Sequence, residues 1–522
     1  MEERGRGRRL AWSTAMFSLA TGLSRILGLV REIFAAYYFG VAGKINAFTV
    51  AFQVPNLVRA LAADAALSSA LVPVFSELME NGERRRAWRV ASTLFWLTLL
   101  GLGGLTALLM LTAPLLLRPF HPVDLDLAVG LSRVLFPIVT LLGVSGIVVG
   151  ILNSYEHFTV PALTPVFWNL AIIAGLVLGV PRADTVDGEL YVYAGSILVG
   201  TVIQVLLPIP WFRGLDGSLR VAIDWRDPAV KRVLTLMVPV TLGIGLINFN
   251  AVIDTLIASR LVDRDLAPAA IDKAFRLYML PQGMFSVAVA TVLFPALSRL
   301  AARADVDGFR RTVAFGLRQI AFLLVPASVV CAVLAEPIVR LVFQRGSFAP
   351  SQTPVVAGAL AAFAAGLTFN GAMLMLNRGF FGLQLPWIPT SVALANLALN
   401  VILDLVFYRL GVWGIPLATS VVNIAGTALL LVLMRRRLGG IELAATVRAF
   451  GLITLASAAL GAAAYGVWWA LDDALGRGLA GQLVSVLSAI AVGGAVYLGA
   501  CRLLGVREIE ALLSLRGRFR PA

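Results

Sequence analysis

"GILNSYEHFTVPALTPVFWNLAII", residues 150–173, ends one apolar run on Leu152-Asn153, crosses an aromatic loop, restarts at Pro161 and Pro165, and sets Asn169 in the next apolar run. The same order returns in "LMLNRGFFGLQLPWIPTSVALANLAL", residues 374–399, with Leu376-Asn377, Pro386, Pro389 and Asn396. A weaker echo joins "VPNLVRALAADAALSSALVPVFSEL" (54–78) to "LPQGMFSVAVATVLFPALSRL" (280–300), each with a leading proline, a small-residue helix and a second proline. The first pair is offset by about 225 residues, or six helices on the count below. Six is even, so both copies enter a membrane in the same direction, and two lobes related in this way describe an alternating-access transporter. The competing explanation is chance recurrence of proline-rich loops in a chain with 24 prolines.

Composition supplies the membrane. The 522 residues are 59% hydrophobic and 14% charged, with a mean hydropathy of +0.88, outside the balance of a soluble domain. A bilayer core of ~30 Å needs about 20 apolar residues per helix. Such stretches lie near 11–39, 45–79, 88–117, 125–152, 160–180, 190–211, 229–259, 267–298, 311–339, 352–376, 386–408, 412–434, 448–470 and 480–501. The alternation of a transmembrane barrel is absent. The expected fold is an all-α polytopic membrane protein of about 14 transmembrane helices. Two pseudo-symmetric six-helix lobes occupy 1–212 and 213–437, and two C-terminal helices with a basic tail fill 438–522. The second, eighth and ninth stretches are long enough to bend or protrude, with Pro55, Pro73, Pro281 and Pro295 as expected bends.

The net charge of +14 invites a nucleic-acid reading, which the distribution of the 43 Lys and Arg removes. With "MEERGRGRRL" placed in the cytoplasm and loops counted alternately, the cytoplasmic side holds 27 of them and the opposite side 9. That asymmetry is the positive-inside pattern and puts both termini in the cytoplasm. No stacking aromatics interleave with the basic runs, so nucleic acid is not an expected partner.

Other chemistries are excluded in turn. Arg25, Arg31 and Glu32 interrupt what would be the apolar region of a cleaved signal peptide, so the first helix is expected to stay. Cys331 and Cys501 sit in apolar stretches and read as buried small hydrophobes. His121 and His157 lack partners at ligand spacing, which argues against a catalytic transition metal. No nucleotide-binding, nucleophile-elbow or zinc-protease motif occurs. The chain reads as a transporter without catalytic residues, driven by an ion gradient, the membrane potential or a partner.

Charges inside the apolar runs are the anomaly that points to function. Arg25, Arg31, Glu32, Arg59 and Asp64 lie in the helices that open the first lobe, and Lys273 and Arg276 in the eighth. Four central arginines cost on the order of 10 kcal/mol in a bilayer unless they meet water or counter-charge. Arg25 and Glu32 fall on one stripe, seven apart, and Lys273 lies one turn from Arg276. Arginines still outnumber acids there, and guanidinium is well shaped to grip phosphate oxygens. Structural pairing or snorkelling is the alternative for each. Arg25 and Arg31 lie about 120° apart on an ideal helix, so one cavity holds both only if it is broad or the helix bends near Gly28.

The second lobe carries a different set. Asp254 interrupts "NFNAVIDTLIAS", and "NLALNVILDLVF" places Asn400 and Asp404 one turn apart. Two carboxylates and an amide oxygen suit a small hard cation such as Na+, with the Thr419 hydroxyl as a further ligand. A proton site or plain interhelical hydrogen bonding fits the same residues.

The run "SRILGLVREIFAAYYFG" followed by "NAFTVAFQVPNLVRALAADAALSSALVPVFSEL" resembles the MurJ (MviN) lipid II flippases of bacteria, within the superfamily of multidrug exporters and polysaccharide flippases. The similarity extends over nearly the whole chain, including "RLYMLPQGMFSVAVATVLFPALSRL". It implies a flippase that moves the undecaprenyl-diphosphate-linked peptidoglycan precursor from the inner to the outer leaflet of the plasma membrane, working among membrane lipids and cell-wall synthesis proteins. It also implies that Arg25, Arg31, Arg59 and Arg276 are the required cavity arginines, with Glu32 beside them. Asp254, Asn400, Asp404 and, less closely, Thr419 match a sodium site of some members. Helices 13 and 14 are the family's proposed groove for the lipid tail. Departures stand at Glu32 for Asp, Asn46 for the Asp of D-A-F, Gln53 for a lysine, and Ala63-Asp64-Ala65-Ala66 for A-E-G-A. A cation-coupled drug exporter, or a flippase for another lipid-linked glycan, remains the alternative, and a membrane scaffold or receptor without transport is the second.

Overall fold

A bilayer offers no water to free peptide groups, so an apolar chain must bond its own backbone within helices. A computed structural model describes residues 2–62, 65–155, 157 and 159–509 of the protein; 86% is helix, and no strand occurs among the described residues. The chain forms two compact units, 1–268 and 269–522.

The first unit contains α1 (Glu2–Phe39), α2 (Ile45–Ala62), α3 (Ala65–Glu80), α4 (Arg84–Leu117), α5 (Leu125–Leu135), α6 (Pro137–Ser154), α7 (Thr159–Ala174), α8 (Val186–Leu206) and α9 (Pro228–Ile257). Helix α1 packs on α7, α7 on α8, and α3 on α6, while α9 lies against α2 and α3. Its core gathers Leu71, Phe75, Trp88, Leu94, Ile147 and Ile151. The first turn of α10 (Ala267–Pro281) carries the chain into the second unit, which continues with α11 (Val287–Ala302), α12 (Val306–Val333), α13 (Ala335–Phe343), α14 (Thr353–Gly382), α15 (Trp387–Phe407), α16 (Gly414–Leu438), α17 (Leu443–Leu475) and α18 (Leu479–Leu503).

Small residues bring the second unit's helices together, as packing in lipid requires. Gly366 of α14 leaves no room for a Cβ against Ser420 of α16. The Ser420 and Thr427 hydroxyls donate across that seam to Ala362 O (2.6 Å) and Phe369 O (2.7 Å). The α17–α18 pair packs on α12, where Tyr497 donates to Phe322 O at 2.6 Å over a core of Val325, Ile453 and Leu460.

Eleven helices or joined helices among the described residues are long and apolar enough to cross a membrane. The remaining three stretches of the sequence expectation fall on α1, on α2 with α3, and on α9. The helices differ at the prolines where bends are expected. Pro281 ends α10 at a π-helical turn, Gln282–Ser286, but α2, α3 and α11 continue through Pro55, Pro73 and Pro295. The ninth stretch divides into α12 and α13 at Leu334, and the fourth into α5 and α6 where Pro137 takes the first position of α6.

Candidate functional site

The α1–α7 seam builds an intramembrane charge site in the first unit. Gly28 is the close point: a Cβ placed there stands 3.9 Å from the Asn169 amide oxygen. One turn on, Arg31 donates from Nη1 to Asn169 Oδ1 at 3.2 Å and from Nη2 to Glu32 Oε1 at 2.6 Å. Its guanidinium lies over the Trp168 ring, 4.8 Å from the centroid. The Arg31 and Glu32 side chains are only 12% and 7% exposed, and Arg31 Nε is buried without a hydrogen-bond partner among the described residues.

Asn169 is itself held. Its Nδ2 donates to Pro165 O at 2.9 Å and to Ser24 O at 3.4 Å, which turns Oδ1 toward Arg31. Pro165 has no N–H, and the Thr164 hydroxyl donates to the Pro161 carbonyl at 2.9 Å. The two prolines and the asparagine of the repeat thus fix an acceptor for an arginine 138 residues away in the chain.

The other arginines stand differently. Arg25 is exposed. Helix α1 runs without interruption through Gly28. Arg59 is half-buried and donates from Nε and Nη2 to Asn56 Oδ1 at 3.2 and 2.8 Å. Asp64 lies outside the described residues. In the second unit, Arg276 donates to Asp272 Oδ1 at 3.0 Å. Lys273, expected near it, is buried with Nζ 6.0 Å from the Phe343 ring centroid.

Of the hard-ligand set, Asn400 and Asp404 come together as their spacing requires. Both are fully buried, and Asn400 Nδ2 donates to Asp404 Oδ2 at 2.8 Å. Thr419, on the neighbouring α16, donates to Ile415 O within its own helix at 3.3 Å. Asp254 belongs to the first unit and accepts from Asn250 at 3.1 and 3.3 Å. Among the described residues no group of three or more His, Cys, Asp or Glu side chains converges.

Sequence reasoning quoted Asn169 without giving it a role, and it missed Asn56, Asp272 and Trp168. Asn56 and Asp272 sit one turn from their arginines, at i−3 and i−4, a spacing legible in the chain. A second polar chain also escaped it: Gln282 Nε2 donates to Asn370 Oδ1 at 3.0 Å, and Asn370 Nδ2 to Asn423 Oδ1 at 3.3 Å. Asn46, where the resemblance expects an acid, donates to three carbonyls, Val41 O, Gly43 O and Asp265 O, at 3.0, 3.2 and 2.6 Å. A carboxylate has no donors for that place.

Outside the membrane-spanning segments, hydrogen bonds and burial move three titrations. A hydrogen bond to Asp187 holds the Lys44 ammonium above its ordinary value. Arg86 holds the Asp227 carboxyl below the usual range, and burial followed by the hydrogen bond to Asp216 pushes Tyr155 up to about 12.

Comparison with known proteins bears on this arrangement. The family model described as lipid II flippase MurJ matches residues 35–485. The probable lipid II flippase MurJ of Vibrio cholerae is 30% identical, with 96% of this chain and 97% of the relative aligned. The lipid II flippase MurJ of Burkholderia cenocepacia is 31% identical over 80% and 82%. A solved lipid II flippase MurJ in an inward closed conformation superposes with a TM-score of 0.77 at 26% identity, over 94% of this chain and 98% of that one. An inward-facing multidrug-resistance transporter of the MATE family superposes at 0.70 with 18% identity, covering 80% and 94%, a likeness of fold.

Proposed function

Since the chain belongs to the MurJ family of lipid II flippases, we propose that its intramembrane arginines are the groups that receive the lipid's diphosphate. The protein is a multi-pass inner-membrane transporter that flips lipid II, and it is not an enzyme. Flipping must carry a charged headgroup through a region where charge is costly, while the polyprenyl tail stays in lipid. A fixed guanidinium lowers that cost by offering paired N–H donors to phosphate oxygens.

Arg31 carries the reading. Glu32, Asn169 and Trp168 keep it in the membrane in one orientation, yet its buried Nε is left without an acceptor. Arg59 donates to the Asn56 amide oxygen, a neutral acceptor weaker than an anionic phosphate oxygen. Arg25 is exposed and ready for ligand, and the sequence repeat supports adding Arg276. Alternating access between an inward-open and an outward-open state then moves the headgroup, with the basic loops and both termini on the cytoplasmic side. The enzymes that make lipid II and those that consume it are the proteins with which this one shares a substrate. Alanine replacement of Arg25, Arg31, Arg59 and Arg276, one at a time, in cells depleted of their own flippase is the test. Loss of rescue is expected, and full rescue by all four variants overturns the assignment.

Sodium as coupling ion is a separate proposal. The buried Asn400–Asp404 pair supplies hard oxygens suited to Na+, to which Thr419 and Asp254 are added from the family pattern. Sodium-dependent thermal stabilisation should appear in the parent and vanish in Asp404→Asn; an equal response in both removes the site.

A further inference from the structure

The segment between α8 and α9, residues 213–227, is an extended strap laid along the start of α4, and the flip of a headgroup does not explain its outer face. Backbone and side chains fasten it: Arg220 N donates to Ser92 Oγ (3.1 Å), Trp96 Nε1 to Arg220 O (3.0 Å) and Asp224 N to Thr93 Oγ1 (3.1 Å). Gly217 lies against the Trp88 ring with no room for a Cβ, and Leu215 and Leu219 pack on the unit's core. Beyond residue 220 the alternation reverses. Val221, Ile223 and Trp225 now point outward, 80%, 51% and 59% exposed.

Those apolar side chains are interleaved with cations. Arg213, Arg220 and Arg226 are exposed and make no ion pair among the described residues, whereas nearby Arg84, Arg86 and Arg232 are matched to Asp216, Asp227 and Glu77. Arg213 also lines a recess of about 280 Å³ with His157, Trp211 and Gly214. The strap meets α4 close to that helix's start. Helix α4 has 34 residues, about 51 Å against a hydrocarbon core of ~30 Å. Its contacts with the strap at Ser92 to Trp96 fall about 12 to 18 Å from its start, near the hydrocarbon boundary if α4 is centred.

We infer that the strap is an anionic-lipid docking surface: Val221, Ile223 and Trp225 enter the interfacial layer while Arg213, Arg220 and Arg226 hold phospholipid headgroups of net negative charge. An aromatic and two aliphatic side chains supply interfacial partitioning, and arginines without an acidic partner among the described residues, Arg226 lying over the Trp225 ring at 5.3 Å, supply the selectivity for charge. Each arginine near an anionic surface favours it by about fivefold, so the three together give a preference on the order of 100-fold.

The full-length protein in symmetric vesicles tests this independently of its orientation and of the diphosphate site. Trp225 fluorescence, taken as the difference between the parent and Trp225→Phe, is titrated with brominated phosphatidylglycerol or brominated phosphatidylcholine. Stronger quenching by phosphatidylglycerol, lost in Arg213→Ala/Arg220→Ala/Arg226→Ala, is expected. Because these side chains are exposed and the strap is fastened through its backbone, the triple variant should melt as the parent does. A Trp225 signal quenched by neither lipid, equal quenching by both, or a preference that survives the triple variant overturns the inference.

Discussion

Arg31 shows what one side chain needs in order to stay charged in a membrane. It has a carboxylate at 2.6 Å, an amide oxygen at 3.2 Å and an aromatic face. Asn169 orients it without needing to touch the ligand. Asn169→Leu should therefore weaken lipid II binding about tenfold or more, the worth of a hydrogen bond to a charged group. Titration of purified variants with lipid II checks this: Arg31→Ala/Asn169→Leu should bind no more weakly than Arg31→Ala alone, and additive losses would give Asn169 a role of its own. The arginines and Glu32 were legible in the sequence because charge in an apolar run is conspicuous. Asn169's task was not legible, since its partner is fixed by the packing of α1 on α7 rather than by spacing. The Glu32 carboxylate, which helical spacing sets on one stripe with Arg25, also takes a hydrogen bond from its chain neighbour Arg31.

At the scale of elements, close helix seams and anchored loops set the tolerances. A Cβ on Gly366 meets Ser420 itself, so Gly366→Ala should cost roughly 1 to 3 kcal/mol of stability, whereas Gly451→Ala, with open space around it, should cost little; thermal melts of the two variants decide. Asp227 caps α9 by accepting from Ala229 N at 2.8 Å and also pairs with Arg86 at 3.1 Å. Its carboxyl is held below its ordinary value near 3.9, so its stabilisation is complete above that value and fades as pH falls through the lower folded value. The melting advantage of the parent over Asp227→Asn should be constant from pH 7 to 5 and shrink toward zero at more acid pH. Helix existence was readable from hydropathy, and Pro281 rightly marked an interruption. The π-helical turns at Gly175–Gly179 and Ala258–Val262 were not foreseen, because their bonding answers to tertiary packing and no residue type signals it.

For the molecule as a whole, composition and the basic-loop asymmetry made the membrane class plain, and the 150–173 and 374–399 echo made a two-lobed transporter the natural expectation. The contact division at 268/269 comes from packing, since α9 lies against α2 and α3, and no composition shift announces it. Orientation is testable in cells. In a background with Cys331 and Cys501 replaced, Ser347→Cys should react with an impermeant maleimide from outside, and Ser218→Cys only after permeabilisation; the reverse pattern inverts the topology. The most direct measurement of the central claim is transfer of lipid II in proteoliposomes, read by the exposure of its headgroup to an impermeant reagent. The parent protein should expose the headgroup well above the rate of empty vesicles, and Arg31→Ala, reconstituted at the same level, should fall to that background. Equal rates for the parent and Arg31→Ala would contradict the account.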